Sequence, residues 1–164
     1  MSSISSKIPG LALAALLAGV AFGASAAVAG ECPADKVVAD GQGAQPGPSM
    51  PKGVSDTLIG AIPLEREIAG LEDRKLRLRE LVIEPGGVVP WHTHTDRPAI
   101  IRVNQGVVVE YRSTCAVPIV HATGDVAVET AGLSHWWKNE GKQTAVLTSS
   151  DIFHEAADDD AHVM

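Results

Sequence analysis

Apolar and polar residues alternate along much of this chain in short runs, which is the pattern of β-strands rather than of helices. Residues 76–83 (Leu-Arg-Leu-Arg-Glu-Leu-Val-Ile) alternate apolar and charged side chains through their first half, so one face of this strand should pack in a core. A Pro-Gly-Gly sequence at 85–87 then predicts a turn. Further strand-like runs follow, separated by turn residues, at 88–94, 99–103, 107–111, 117–121, 126–129, 135–138 and 144–149. This spacing predicts an all-β sandwich or barrel.

The first 29 residues have the composition of a secretory signal peptide. A polar start with one positive charge, Lys7, precedes an apolar run at 11–22 and a stretch of small residues with two Ala-x-Ala patterns. The run is too short to span a bilayer comfortably, which favours a cleaved signal over a retained membrane anchor. We expect export to the periplasm or the extracellular medium, with cleavage before Gly30 or, as second choice, before Ala27.

The remaining chain divides into three predicted segments. Residues 30–55 are rich in Gly, Pro and Ala without periodicity and predict a flexible N-terminal arm. Residues 56–155 form the predicted barrel domain, which begins with an apolar edge strand and at most one helical turn at 65–69. Residues 156–164 form a predicted acidic tail. The strand at 57–62 would offer an edge for pairing with a second copy of the chain.

Composition limits the partners and the redox compartment. The 164-residue chain has a formal net charge of −7, which becomes −8 when Lys7 is removed with the signal. An acidic domain without a basic cluster predicts no nucleic-acid partner and no membrane contact after signal cleavage. The two cysteines, Cys32 and Cys115, would form a disulfide in an oxidising compartment, the alternative being two unpaired thiols.

Candidate chemistry is concentrated in Pro90-Trp91-His92-Thr93-His94, with a further histidine at His135. On an extended strand, His92 and His94 project to the same face while Thr93 projects to the other. Two imidazoles on one strand face can share a metal ion, and imidazole suits Fe, Ni, Cu and Zn. A metal site on a β scaffold is therefore the leading hypothesis.

Two spaced motifs resemble those of the cupin superfamily, whose members are double-sheet jelly-roll β-barrels. The first cupin motif places His-x-His between two glycines, and here Gly86, His92, His94 and Gly106 fit. The second motif is matched by the residues Gly124, Gly132, His135 and Asn139, with Thr130 in place of a proline. The resemblance covers about residues 76–153 and implies a cupin-type jelly-roll barrel, a divalent metal at His92, His94 and His135, and a homodimer paired through exposed strands.

One motif position departs from the family pattern. The glutamate of the first motif falls on Pro98 or, with the longer spacing, on Ala99, and neither side chain binds a metal. A neutral three-histidine site remains, which resembles that of some thiol-oxidising cupins and would favour anionic ligands. The alternative is a barrel that has lost its metal, with the three histidines hydrogen-bonded to one another or to water.

The resemblance implies a protein that acts on or binds a small molecule. The first hypothesis is an exported enzyme with one Fe, Mn, Ni, Cu or Zn ion and dioxygenase-type oxidoreductase chemistry, substrate unknown. The second is a non-enzymatic module that captures a small ligand or metal, since cupins include both. Other residues near the motifs are interpreted as core, interface or surface side chains ahead of a functional role: Trp91, Trp136, Trp137, Arg97, Arg102, His121, His154 and His162. Glu110 and Tyr111 alternate on one strand, so only one of the two can face inward.

Overall fold

A computed structural model describes residues 30–154, and the predictions for residues 1–29 and 155–164 lie outside the described residues. Eight β-strands make up most of this part of the chain, as the alternation predicts. They are β1 (Lys52–Pro63), β2 (Arg74–Thr93), β3 (Ala99–Gln105), β4 (Val107–Arg112), β5 (Ile119–Ala122), β6 (Val126–Glu129), β7 (Ser134–Lys138) and β8 (Ala145–His154). Two short 3-10 helices occupy Ala34–Lys36 and Leu64–Arg66, the second close to the predicted helical turn.

All strand pairs are antiparallel, and the eight strands form one continuous sheet whose two halves share β2. The N-terminal half of β2 pairs with β1 on one side and with β8 on the other, and the sheet continues through β3 to β6. The C-terminal half of β2 pairs with β7, which leads through β4 to β5. The result is a nearly closed double-sheet barrel of the jelly-roll type, which confirms the predicted fold class.

The predicted turn at 85–87 is wrong, because β2 continues through it as one strand of 20 residues. Gly86 has a φ of +77°, a conformation that glycine adopts without steric cost, so the strand bends there and passes from one half of the sheet to the other. The Gly86 N–H donates to the Asn139 carbonyl, and the Asn139 N–H donates to the Gly87 carbonyl. These bonds keep the bend paired with the end of β7.

The interior is filled from both halves of the sheet by side chains at alternating strand positions, as the period of two predicts. The buried cluster contains Leu81, Ile83, Val89, Ile101, Val103, Val108, Ala127, Trp137, Ala145 and Leu147. The edge strand β1 is mostly exposed, including Leu58, Ile59 and Ile62. Pairing of a second copy along this edge stays a prediction. No helix between residues 30 and 154 is long and apolar enough to cross a membrane.

The N-terminal arm has little regular structure but is anchored to the barrel. Cys32 and Cys115 form a disulfide with 5.9 Å between their Cα atoms, which settles the alternatives left open by the sequence. Further along, the Gly43 N–H donates to the Ser113 carbonyl at 2.8 Å. A Cβ on Gly43 would lie 2.5 Å from the Cys115 carbonyl oxygen, so only glycine permits this approach. β1 begins at Lys52, earlier than the expected boundary at residue 56.

Candidate metal centre

Three imidazoles meet near the bend of the barrel. His92 lies in β2, His94 follows directly after the end of that strand, and His135 lies in β7 opposite His92. The Nε2 atoms of the three rings are each 3.1 Å from the other two. His94 and His135 are fully buried, whereas His92 is half-buried. The structure thus brings together the three histidines that the motif spacing singled out.

The other ring nitrogen of each histidine faces a hydrogen-bond acceptor. Nδ1 lies 2.9 Å from the Pro90 carbonyl oxygen in His92 and 2.6 Å from the Arg97 carbonyl oxygen in His94. In His135 it lies 2.5 Å from Oε1 of Glu110. Backbone carbonyl oxygens only accept, so Nδ1 of His92 and of His94 donates, and each neutral ring then has its lone pair on Nε2. Nδ1 of His135 faces both the Glu110 carboxylate and, at 3.1 Å, the Trp137 indole N–H. With its proton on Nδ1 toward Glu110, His135 also has its lone pair on Nε2, and three lone pairs then converge on one point.

This arrangement fits a bound cation. Two imidazole nitrogens about 2.1 Å from one ion and at right angles to each other lie about 3.0 Å apart, close to the observed 3.1 Å. Burial and the neighbouring His135 lower the pKa of His92 to about 3, so its ring is neutral as a ligand requires. Hydrogen bonds from Nδ1 to carbonyl or carboxylate oxygens are also the usual support of metal-bound histidines.

A carboxylate that the motif analysis missed completes the group. Glu129, at the end of β6, places Oε2 3.0 Å from Nε2 of His94 and Oε1 3.4 Å from Nε2 of His135. Both oxygens are buried without a hydrogen-bond partner among the described residues. Burial would raise the pKa of Glu129, but the positive charge available at His135 and His94 outweighs it, and the pKa is lowered. A charged, buried carboxylate needs a positive partner, which either protons on His135 and His94 or a bound metal cation can supply.

Strand register explains why Glu129 reaches this position. Ala99 of β3 is paired directly with Glu129 of β6, and directly opposed residues of antiparallel strands project to the same face. Ala99 is also where the longer motif spacing places the missing glutamate. A carboxylate therefore does reach the site, but it belongs to Glu129 on β6, the residue paired with Ala99, and not to the motif position itself. The metal site at His92, His94 and His135 stays a prediction, and the structure adds a carboxylate beside two of these histidines.

A buried ion-pair network contacts His135 at its Nδ1 atom, on the side of the ring away from the other two histidines. Glu110 of β4 is fully buried and accepts hydrogen bonds from His135 and, at 2.9 Å, from Nε2 of His121. The Arg112 Nε lies 2.7 Å from the same carboxylate. Burial would raise the pKa of Glu110, but these partners hold it well below its usual range. Of the alternating pair Glu110 and Tyr111, it is Glu110 that faces inward, and His121 is a core histidine.

Glu110 is thus a positioning residue for His135, and Glu110→Gln should separate this role from simple packing. The amide keeps the shape but removes the charge that holds the His135 ring and neutralises Arg112. We expect metal affinity to fall by about 10- to 100-fold, as for other supports of metal ligands. Competition with a chromogenic chelator measures this change, and Glu140→Gln, at an exposed glutamate, is the matched control. An unchanged affinity in a folded Glu110→Gln protein would contradict the assignment.

A small cavity adjoins the site. Its wall includes His92, His94 and Glu129 together with Trp137, which faces inward. Trp136 faces the other way and stacks on Tyr111, with ring centroids 4.0 Å apart. Of the two arginines considered in the sequence, Arg97 lines the cavity and Arg102 is exposed. The expectation of a solvated outer-face side chain is therefore wrong for Arg97.

Comparison with known proteins finds a family that the barrel resembles. Residues 79–151 match the Cupin domain family, and this stretch contains the histidines, Glu129 and most of the core. This part of the chain is therefore similar to a cupin domain. Members of the cupin superfamily commonly hold a divalent metal, and the histidines described above are a candidate site for one. In this chain the neighbouring carboxylate comes from β6 rather than from the first motif.

Individual relatives are distant. Auxin-binding protein ABP19b of Prunus persica is 30% identical over 87 residues, which are 51% of this chain and 42% of that protein. The chain thus spans less than half the length of that curated relative. A predicted oxalate decarboxylase from Thermotoga maritima is 18% identical, with a TM-score of 0.51 over 75% of this chain and 98% of that chain. An oxalate oxidase in complex with glycolate is 22% identical, with a TM-score of 0.48 over 65% of this chain and 55% of that chain. The similarity to the Thermotoga maritima protein shows the fold.

Proposed function

We propose that this protein is an exported metalloenzyme that acts on a small molecule, with dioxygenase-type oxidoreductase chemistry as the first expectation. The convergence of three imidazole lone pairs at 3.1 Å, beside the buried Glu129 carboxylate, carries the proposal. Nitrogen and oxygen ligands of this kind suit Fe, Mn, Ni, Cu or Zn. A bound divalent ion would supply Lewis acidity and, if it is redox-active, electron transfer.

The protein's own residues would set the conditions for that chemistry. The Pro90 and Arg97 carbonyls and Glu110 orient the three rings before any ligand arrives, so little reorganisation is needed on binding. Glu129 reduces the positive charge of the centre by one unit. Apolar side chains on the cavity wall, including Ile101 and Leu147, limit the access of water and strengthen electrostatic interactions inside.

Export is part of the proposal because the protein contains a disulfide. Disulfides persist in secreted and periplasmic proteins and are rare in the reducing cytosol. The bond between Cys32 and Cys115 joins the beginning of the arm to the barrel, directly after the predicted cleavage site before Gly30. The intact mass of protein recovered from the exported fraction reports whether residues 1–29 have been removed.

Metal content of that protein, purified without an affinity tag, is the decisive measurement. Elemental mass spectrometry should find close to one transition-metal ion per chain. His92→Ala and His135→Ala should each reduce the metal to background, because each removes one of the converging nitrogens. His154→Ala, at a histidine outside the site, is the matched control and should retain the metal. The metal found then directs a dioxygen-uptake screen with phenolic and thiol substrates.

Two results would change the interpretation. A wild-type protein that stays metal-free after loading with Fe, Mn, Ni, Cu and Zn in turn overturns the metalloenzyme proposal. A protein that binds metal through these residues but consumes neither dioxygen nor substrate supports the alternative, a cupin module that captures a ligand without turnover.

A further inference from the structure

The outer face of one half of the sheet is apolar and open to solvent. Strands β1, β2, β8, β3 and β6 lie side by side in that order, and their outward side chains form rows across the strands. The apolar side chains of this outer face are exposed, except for the half-buried Ile152: Ile62, Leu76, Leu78, Ile100, Val126, Val128 and Ile152. A contiguous apolar patch on a protein surface marks an interaction site.

The strand register sets two neighbouring rows at the centre of the outer face. The apolar row crosses β2, β8, β3 and β6 at Leu78, Ser150, Ile100 and Val128. The charged row lies two residues further along each strand and crosses the same strands at Glu80, Thr148, Arg102 and Val126. In both rows β8 is the middle strand, with one residue of β2 and one of β3 on either side of it.

Glu80 and Arg102 are exposed charges of opposite sign, and neither has an ion-pair partner between residues 30 and 154. With β8 between them and about 4.8 Å per strand, they lie about 10 Å apart, too far for a hydrogen bond within one chain. Leu78 and Ile100, in the row beside them, are 40% and 55% exposed. The outer face is therefore self-complementary about β8, because β2 carries the acid and β3 carries the base.

A second copy of the chain fits this pattern. In an isologous dimer the same surface of both copies meets around a two-fold axis. With that axis along β8, Leu78 faces the partner's Ile100 and Glu80 faces the partner's Arg102. With the axis across the strands instead, β2 would lie on β2, and Glu80 would face an apolar side chain or the partner's Glu80. Charge complementarity thus selects the axis along β8.

The outer face is also large enough for a specific dimer. Five strands at about 4.8 Å and the four rows from Leu76 to Val82 at about 6.8 Å span about 24 by 27 Å, which is roughly 650 Å² per copy and 1,300 Å² for two. Specific protein interfaces bury about 1,200–2,000 Å² in total. Sheets that pack face to face keep their strands within about 30° of each other, as two copies with aligned β8 strands would.

We propose that two copies of this protein associate through the outer face, with β8 on the two-fold axis and two reciprocal ion pairs between Glu80 and Arg102 flanking it. The mode differs from the pairing along the edge of β1 that the sequence predicts. It is also independent of the proposed function, because His94, His135 and Glu129 are buried on the inner side of the barrel.

Sedimentation velocity of the mature exported protein from about 1 to 100 μM tests the proposal, and the expected species is a dimer. Ile100→Asp should give a monomer, because it buries a charge against the partner's Leu78. Glu80→Arg and Arg102→Glu should each raise the dissociation constant at least about 10-fold, since like charges then face each other twice. The double variant Glu80→Arg/Arg102→Glu should restore the dimer. Glu72→Arg, at an exposed position outside the outer face, is the matched control.

Three results would overturn the inference. The first is a wild-type protein that is monomeric at about 100 μM. The second is a dimer that withstands Ile100→Asp and both charge reversals but is lost in Leu58→Asp/Ile59→Asp, which would place the interface on the edge of β1. The third is a loss of the dimer in both single reversals without recovery in the double variant, which would exclude the axis along β8. Recovery in the double variant also excludes misfolding as the cause of the single losses.

Discussion

Replacing Glu129 by alanine should lower the metal affinity of this protein by more than about 100-fold, since even the supports of metal ligands are worth about 10- to 100-fold. Metal that binds only the folded state stabilises it by mass action, so the gain in stability on adding metal should be correspondingly smaller in Glu129→Ala than in the wild type. Denaturant unfolding with and without metal measures this difference.

A second variant tests the cross-strand origin of this carboxylate. Because Ala99 and Glu129 are directly paired and face the same side, Ala99→Glu combined with Glu129→Ala should restore part of the lost affinity. Thr130→Ala, at the exposed neighbour of Glu129, is the control for disturbance of β6. Wild-type affinity in Glu129→Ala would show that the three histidines bind the metal without it.

Removing the disulfide should produce the largest loss of stability. The bond between Cys32 and Cys115 closes a loop across a sequence separation of 83 residues, for which chain entropy predicts about 4.5 kcal/mol. Native disulfides in small exported domains are worth about 2–5 kcal/mol, so Cys32→Ser/Cys115→Ser should lower the free energy of unfolding by that amount. Urea denaturation measures it. The single variants would leave a free thiol and are less suitable.

The same variant distinguishes local from global effects of the arm. Metal content should be unchanged at temperatures where the variant is folded, because neither cysteine contacts the histidines or Glu129. An identical midpoint of unfolding in the variant and the wild type would mean that the arm is held by its backbone hydrogen bonds alone.

Much of the fold was accessible from the sequence because each strand carries its own signal. Alternation at 76–83 marks a strand with one buried face, and the same period of two places His92 and His94 on one side. The turn at 85–87 failed for a local reason. Proline and two glycines allow a turn, but they also allow the bend by which β2 stays paired with β7.

The sequence analysis missed the positions of Glu129 and Arg97 in the barrel, because both depend on contacts between strands far apart in the sequence. Glu129 joins the site only because β6 pairs with β3 in the register that sets it opposite Ala99, and no local pattern reveals that register. Arg97 likewise looked like a solvent-facing residue near the end of a strand. Its burial follows from Asp151, more than fifty residues later, which faces the same side of the barrel.

The central position of β8 has a consequence for how this protein matures. β8 lies between β2 and β3, and it brings the Asp151 carboxylate that Arg77 and Arg79 require, yet it is the last strand of the described chain. A chain emerging N-terminus first therefore cannot close its barrel until β8 has been made. Cys32 and Cys115 both precede β8, so their oxidation can come before closure and hold the earlier segments near one another while the final strand arrives.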